Sequence, residues 1–209
     1  MKILKLLSLI LITTTAFAQQ RGTFTDRRDG KIYSTIQIGT QVWMSENLNY
    51  DVGEDCRCYD NSTENCKVYG RLYDWYGAMK SVPQGWRLPS EQDWKTLEKY
   101  IGMNDSDLVH GYYRGESVNA GGKLKSKSLW HNPNIGENDS VGFNALPGGC
   151  SSKKDTTFHF LNECAMFWTA TSGNNDSFAF YRDFHYTDNM IFKGCRWKLL
   201  MFSARCVKN

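Results

Sequence analysis

Seven cysteines give this chain its widest chemical reach: Cys56, Cys58, Cys66, Cys150, Cys164, Cys195 and Cys206. A thiolate can attack an electrophile or hold a soft metal, and an oxidised pair is a cross-link. The compartment decides between these roles. Lys2 and Lys5, the apolar run from Leu6 to Ile12, and Ala16-Phe17-Ala18 read as a secretory signal peptide over residues 1–18. That run is too short to span a bilayer, and no later apolar run is long enough. In an exported chain disulfides are the default. Cys58 and Cys66 close a short loop and are the expected pair, worth about 2–3 kcal/mol on the chain-entropy model. Cys150 with Cys164, and Cys195 with Cys206, are pairings by proximity in sequence. The odd count leaves one thiol free or paired between chains. Zinc at Cys56-Arg57-Cys58 would need a second His/Cys pair that the spacing does not offer, so no metal site is assigned.

Other chemistries are less well supplied. "GENDS" and "GNNDS" present Glu137, Asn138, Asp139, Asn174, Asn175 and Asp176, whose oxygens could serve calcium. The same residue types make ordinary surface turns, and that reading is preferred. His110, His131, His159 and His185 are scattered. Neither a Gly-x-Ser-x-Gly elbow nor a His-Glu-x-x-His helix occurs, and no carboxylate pair is singled out by spacing. Trp130, Tyr112, Tyr113, Tyr181 and Tyr186 stand in polar, loop-like settings. With Arg182 they form the candidate ligand-binding set, suited to stacking sugars or gripping a peptide. Against this, the rings could plug a loop-rich core, and Arg182 and Arg205 could serve as internal salt-bridge partners. Removing the leader lowers the formal charge from +3 to +1, which gives no reason to invoke nucleic acid or an anionic membrane.

The elements that must position these groups follow from periodicity. Ile32, Ser34, Ile36 and Ile38 share one parity and Tyr33, Thr35 and Gln37 the other, as in a half-buried strand. Gly39-Thr40 turns into a second strand with Val42, Trp43 and Met44. Residues 51–66 form an acidic, Cys-stapled loop. A helix is expected from Tyr69, with Leu72, Tyr76 and Met79 at helical spacing, ending at Pro83 and Gly85. Ser90 then caps a second helix, with Asp93 approximating a capping box and Trp94, Leu97 and Ile101 as its apolar stripe. Residues 102–140 are irregular apart from a short helical candidate at Lys123–Ser126. Short strands follow in "GFNALPGG", "MFWTATS", "SFAFYRDF", "MIF" and "FSARCV". The expected fold class is α+β, with short, mostly antiparallel strands, two main helices and long irregular loops.

Several blocks in order carry a resemblance: "GTFTDRRDGKIYSTIQIGTQVWMSENLNY", "CYDNSTENCKVYGRLYDWYGAM", "PQGWRLPSEQDWKTL", "AGGKLKS", "GFNALPGG", "FWTATS" and "FSARCVKN". The chain resembles the Fibrobacter succinogenes major paralogous domain, a family of exported bacterial proteins. The resemblance implies a C-type-lectin-like fold, shared with the formylglycine-generating sulfatase-modifying enzymes, whose Arg-Leu-Pro-Thr-Glu-x-Glu-Trp segment is similar to "RLPSEQDW". It implies a single domain over residues 19–209, secreted to the periplasm, the cell surface or the medium. The role expected of it is non-catalytic binding, of a glycan or a surface protein, without a cofactor unless calcium. The alternative it offers is an oxidoreductase-like enzyme with cooperating cysteines and a soft metal, for which Cys195 and Cys206, beside Arg196 and Arg205, are the late pair. Relatives often carry Cys where this chain has Val82, so the resemblance leaves the partner of Cys206 open.

Overall fold

The computed structural model describes residues 20–109 and 112–209. The leader expected over residues 1–18 and His110 lie outside the described residues. The chain begins with β1 (Arg21–Thr25), β2 (Ile32–Ile38) and β3 (Gln41–Met44), then β4 (Cys56–Arg57), α1 (Thr63–Tyr69), β5 (Leu72–Tyr73) and α2 (Trp75–Ser81). Next come β6 (Trp86–Arg87), α3 (Glu91–Tyr100), α4 (Asp105–Val109) and β7 (Tyr112–Arg114). After a long irregular stretch follow β8 (Gly148–Ser152), β9 (Phe158–Leu161), β10 (Cys164–Ser172), β11 (Phe178–His185), β12 (Ile191–Trp197), β13 (Leu200–Ser203) and β14 (Val207–Lys208). The architecture is α+β. One sheet runs β1-β2-β3-β14-β6; the larger runs β4-β5-β13-β8-β10-β11-β12-β7, with β9 beside β8. Most pairings are antiparallel, but β10 runs parallel to both β8 and β13. Among the described residues no helix is long and apolar enough to cross a membrane.

α3 begins where the sequence marks it. Ser90 Oγ accepts from the Asp93 amide at 3.2 Å, and an Asp93 carboxylate oxygen accepts from the Ser90 amide at 2.9 Å, a complete capping box. Such a cap is worth about 1 kcal/mol. The start of the helix is also docked onto β10, since the Ala170 amide donates to the Pro89 carbonyl and the Glu91 amide to Thr171 Oγ1. Trp94, Leu97 and Ile101 are buried in the first core, where Trp94 packs against Trp43 at 5.2 Å and Phe143 at 5.6 Å. A second core gathers Tyr33, Tyr73, Trp168, Tyr181 and Phe202.

Three local expectations need correction. The helix expected to start at Tyr69 is two helices with a strand between them. Gly70, at φ +75°, ends α1 where an added Cβ would stand 2.8 Å from Asn47 Cβ. Asp74 then caps α2 by accepting from the Gly77 amide at 2.7 Å, which leaves Leu72 and Tyr73 extended. β2 is half-buried, but not on one parity throughout: Tyr33 and Thr35 are buried while Ile32 and Ser34 are exposed, and then Ile36 and Ile38 are buried while Gln37 is exposed. Lys123–Ser126 is a turn segment, tied down by buried Lys125, whose ammonium donates to the carbonyls of Ile135, His185 and Asp188. Burial pushes that ammonium down to about 8.

The cysteines divide. Cys58 and Cys66 are bonded, with Cα atoms 5.0 Å apart. The structure does not join Cys150 to Cys164 or Cys195 to Cys206; all four are free thiols, as is Cys56. Cys206 is wholly buried in the second core, whereas Cys195 lies on β12 against Gly173. Arg205 is corrected too. It is fully buried, but its guanidinium donates to the carbonyls of Phe143 and Asn144 and to Asn47 Oδ1, not to an acid.

Candidate functional site

β11 sets the site by its pleat. Successive side chains of a strand point to opposite faces. Arg182 and Phe184 turn toward α3, and Tyr181, Asp183 and His185 turn to the other face. β10 lies alongside with Cys164 opposite His185 and Met166 opposite Asp183. On the other flank Phe192 of β12 stands opposite Asp183, and Tyr113 of β7 stands opposite Phe192. The result is a cavity of about 390 Å³, walled by Tyr113, Phe160, Tyr181, Phe192 and Phe202 and carrying Cys150, Asp183, His185 and Arg196.

Three reactive groups meet here: Asp183 and His185 line the cavity, and buried Cys164 stands behind them. His185 Nε2 lies 2.9 Å from Asp183 Oδ2, and His185 Nδ1 lies 3.2 Å from Cys164 Sγ. With the imidazole neutral, Asp183 holds the proton on Nε2 and leaves Nδ1 to accept from the thiol. The hydrogen bond to Asp183 holds His185 above the ordinary imidazole value, against the effect of burial. Burial pushes the Asp183 carboxyl up, although His185 opposes it, and burial likewise pushes the Cys164 thiol up. Asp183 Oδ1 is buried without a well-formed hydrogen-bond partner. The thiol, the imidazole and the carboxylate could hold a metal ion, since one ligand atom from each lies within 4.8 Å of the others.

The aromatic wall is continuous. Tyr113 meets Phe192 edge-on at 5.0 Å, Phe192 meets Tyr181 at 5.8 Å, and the Arg196 guanidinium sits over the Tyr181 ring at 5.7 Å. Tyr113 is 54% exposed, so its ring forms the open rim. A larger groove of about 580 Å³ runs between α3, α4 and the β2–β3 turn. Two of its charges, Lys99 and Asp105, pair at 2.8 Å, and among the described residues it gathers no comparable reactive set.

The sequence-derived candidates separate on this frame. Tyr181 is buried in the cavity wall and Tyr112 lies on the exposed edge strand beside Phe192 at 6.0 Å. Trp130 is half-buried away from the cavity, donating to Ser126 Oγ and the Ala145 carbonyl while packing on the first core. Tyr186 packs against His131 at 6.0 Å and does not line the cavity. Arg182 is on the opposite face, fully buried between Glu91 and Glu98. The two Asn/Asp segments are turns: Asn138 Oδ1 accepts from the Ser140 amide and Asn175 Oδ1 from the Ser177 amide.

The family profile of the Fibrobacter succinogenes major domain matches residues 36–208. The chain belongs to the Fibrobacter succinogenes major domain family. The match takes in α3, the first core, the second core apart from its N-terminal members such as Tyr33, and every strand that lines the cavity. No curated protein and no solved structure matches the chain. Within this Fibrobacter succinogenes major domain, the Cys164–His185–Asp183 cluster is what sequence reading missed. The available signal was Asp183-Phe184-His185, an i, i+2 pair that any strand places on one face. Adding Cys164 required the register of β10 on β11.

Proposed function

We propose that the protein is an exported, non-catalytic binding module whose ligand sits in the aromatic-walled cavity on the outer face of β11. One observation carries this reading. Tyr113, Phe192 and Tyr181 form a continuous set of rings beside Arg196, His185 and Asp183, so flat apolar faces and hydrogen-bonding groups converge in one depression. A sugar ring has that same pairing of an apolar face with a hydroxyl edge. A glycan is therefore the leading ligand class, and a surface protein offering an aromatic or aliphatic side chain is the second.

The frame we assign is C-type-lectin-like and related to the formylglycine-generating enzymes. Family membership, the α+β layering and the capped α3 seated on β10 support that assignment. The domain is assigned to residues 19–209, following a leader removed after Ala18. Detection of Gln19 as the first residue of material outside the cytoplasm would support export, and full-length protein confined to the cytoplasm would refute it. The oxidoreductase alternative asks Cys195 and Cys206 to cooperate. A wholly buried Cys206 and a Cys195 on β12 give it little support.

The test is a glycan array probed with the mature chain and with Tyr113→Ala, each with and without chelator. Retention of a glycan class by the parent chain, weakened about tenfold by the substitution, supports the reading. Failure to retain any glycan removes that ligand class. Retention unchanged by Tyr113→Ala moves the site elsewhere.

A further inference from the structure

We propose that Cys164, Asp183 and His185 bind one divalent cation of the zinc class at the base of the cavity. The cation site does not depend on which ligand the cavity above it accepts. The three residues come from two directly paired strands, so the backbone ladder fixes their relative positions. Their types are a soft sulfur, a borderline nitrogen and a carboxylate oxygen, a set that suits zinc and disfavours calcium or magnesium, which take oxygen alone.

The distances fit. Zinc bonds of about 2.3 Å to sulfur and about 2.0 Å to nitrogen put those two atoms about 3.5 Å apart in a tetrahedron. Cys164 Sγ and His185 Nδ1 already stand 3.2 Å apart. The widest ligand-to-ligand gap is at most 4.8 Å, and because Asp183 bonds the opposite ring nitrogen, Nε2, bringing all three onto one ion asks the carboxylate or the imidazole to swing and give up that bond.

Two further observations point to a cation. Asp183 is only 4% exposed, and beyond the neighbouring Phe184 amide its Oδ1 finds no well-formed partner, leaving an acceptor buried beside the thiol and the imidazole. A native interior rarely tolerates this without a partner. The charges also balance: a thiolate and a carboxylate neutralise a dication, and a neutral imidazole adds no charge. A neutral assembly is the form of ion site that costs least to bury. Binding would release the thiol proton to solvent. Three protein ligands leave a fourth position for water or a ligand atom, the arrangement of an open zinc site.

The experiment uses the full mature chain, stripped with chelator and reloaded with zinc or cobalt(II) ions alone. Metal analysis after gel filtration is expected to give one zinc per chain. The cobalt form is expected to show a near-ultraviolet thiolate-to-metal band together with tetrahedral visible bands. Cys164→Ala and His185→Asn are each expected to weaken zinc binding beyond the roughly 100-fold ceiling typical of outer-shell partners. Cys195→Ser should bind as the parent does. His185 is 29% exposed, far more than Cys164, so its substitution keeps the test usable if Cys164→Ala does not fold. Circular dichroism of each variant decides that point. Parent protein that binds no zinc, cobalt spectra lacking the thiolate band, or zinc binding unchanged in folded His185→Asn would each overturn the proposal. So would peptide mapping that finds Cys164 bridged to Cys150.

Discussion

Two faces of one strand handle buried charge in opposite ways. On the α3 side of β11, Arg182 is fully buried and satisfied. Its guanidinium donates to Glu98 at 2.7 Å and to Glu91 at 2.5 Å, Arg114 adds two bonds to Glu98, and Lys193 reaches Glu91 at 2.9 Å. One residue further on, Asp183 turns to the cavity, where it meets one imidazole and keeps an oxygen without a well-formed partner. The first face is closed by a helix and an aromatic core; the second is left open. A network whose acids and bases satisfy one another fixes structure. An incomplete set beside a cavity remains able to take up something else. Position along the strand, by a single residue, separates the two.

The largest expected effect lies on the closed face. Glu98→Gln removes the shared carboxylate and leaves Arg114 and Arg182 with too little negative charge in the interior. Breaking a buried pair in this way costs about 3–5 kcal/mol, to be read from urea unfolding of the parent and the variant. A loss below about 1 kcal/mol would mean that the closed face is not the structural one.

Glu91→Gln should cost less at neutral pH, because Arg182 keeps Glu98. Its signature is in acid. Burial alone would raise the Glu91 carboxyl, but the charges and hydrogen bonds of Arg182 and Lys193 outweigh it and hold the group below its ordinary value. A carboxyl depressed in the folded state binds fewer protons there than in the unfolded chain. Its stabilisation is therefore complete above the unfolded value of about 4.5 and is lost as pH falls through the folded value. Urea midpoints taken from pH 7 down to pH 3 should fall less steeply for Glu91→Gln than for the parent. Parallel curves would show that the ion pairs of Glu91 do not contribute.

Asp183→Asn tests the open face in the metal-free chain. Asparagine keeps an acceptor for His185 and removes a carboxyl that burial already pushes toward its neutral form. The expected change in unfolding free energy is under about 1 kcal/mol. A loss equal to that of Glu98→Gln would erase the contrast between the faces.

How much of this the sequence discloses depends on the range of each interaction. The start of α3 is written within four residues, Ser90 to Asp93, and Trp94, Leu97 and Ile101 declare their stripe within three turns. Cys58 and Cys66 are bonded across eight residues. The two-helix break at Gly70 and Asp74 was available in principle, since a glycine and an aspartate are the expected stop and start signals, but the spacing of Leu72, Tyr76 and Met79 imitated a longer helix. The charge network spans 84 residues from Glu98 to Arg182, and no local pattern selects that partner. Cys164 and His185 are 21 apart and meet only because β10 and β11 pair in one particular register. Aromatic type alone was a poor guide to exposure. Tyr181 and Trp130 were both read as candidate binding rings, yet one lines the cavity and the other plugs a loop.

The smallest effects belong to β7, where the same alternation recurs at an exposed edge. Tyr113 stands opposite Phe192 and lines the cavity; Tyr112 stands opposite Lys193 and does not. Both rings are largely exposed, at 54% and 71%. Neither alanine substitution should therefore move stability by more than about 0.5 kcal/mol, the usual range for surface changes. Binding should separate them. Losing Tyr113 removes one ring of the wall, whereas losing Tyr112 leaves the wall intact, so a ligand held by Tyr113→Ala about tenfold more weakly should bind Tyr112→Ala as it binds the parent. Titration of both variants with the same ligand reads this directly. Equal weakening by the two would mean that contact extends over the strand edge and outside the cavity, and the boundary between the two faces of the sheet would then cease to mark where the ligand is held.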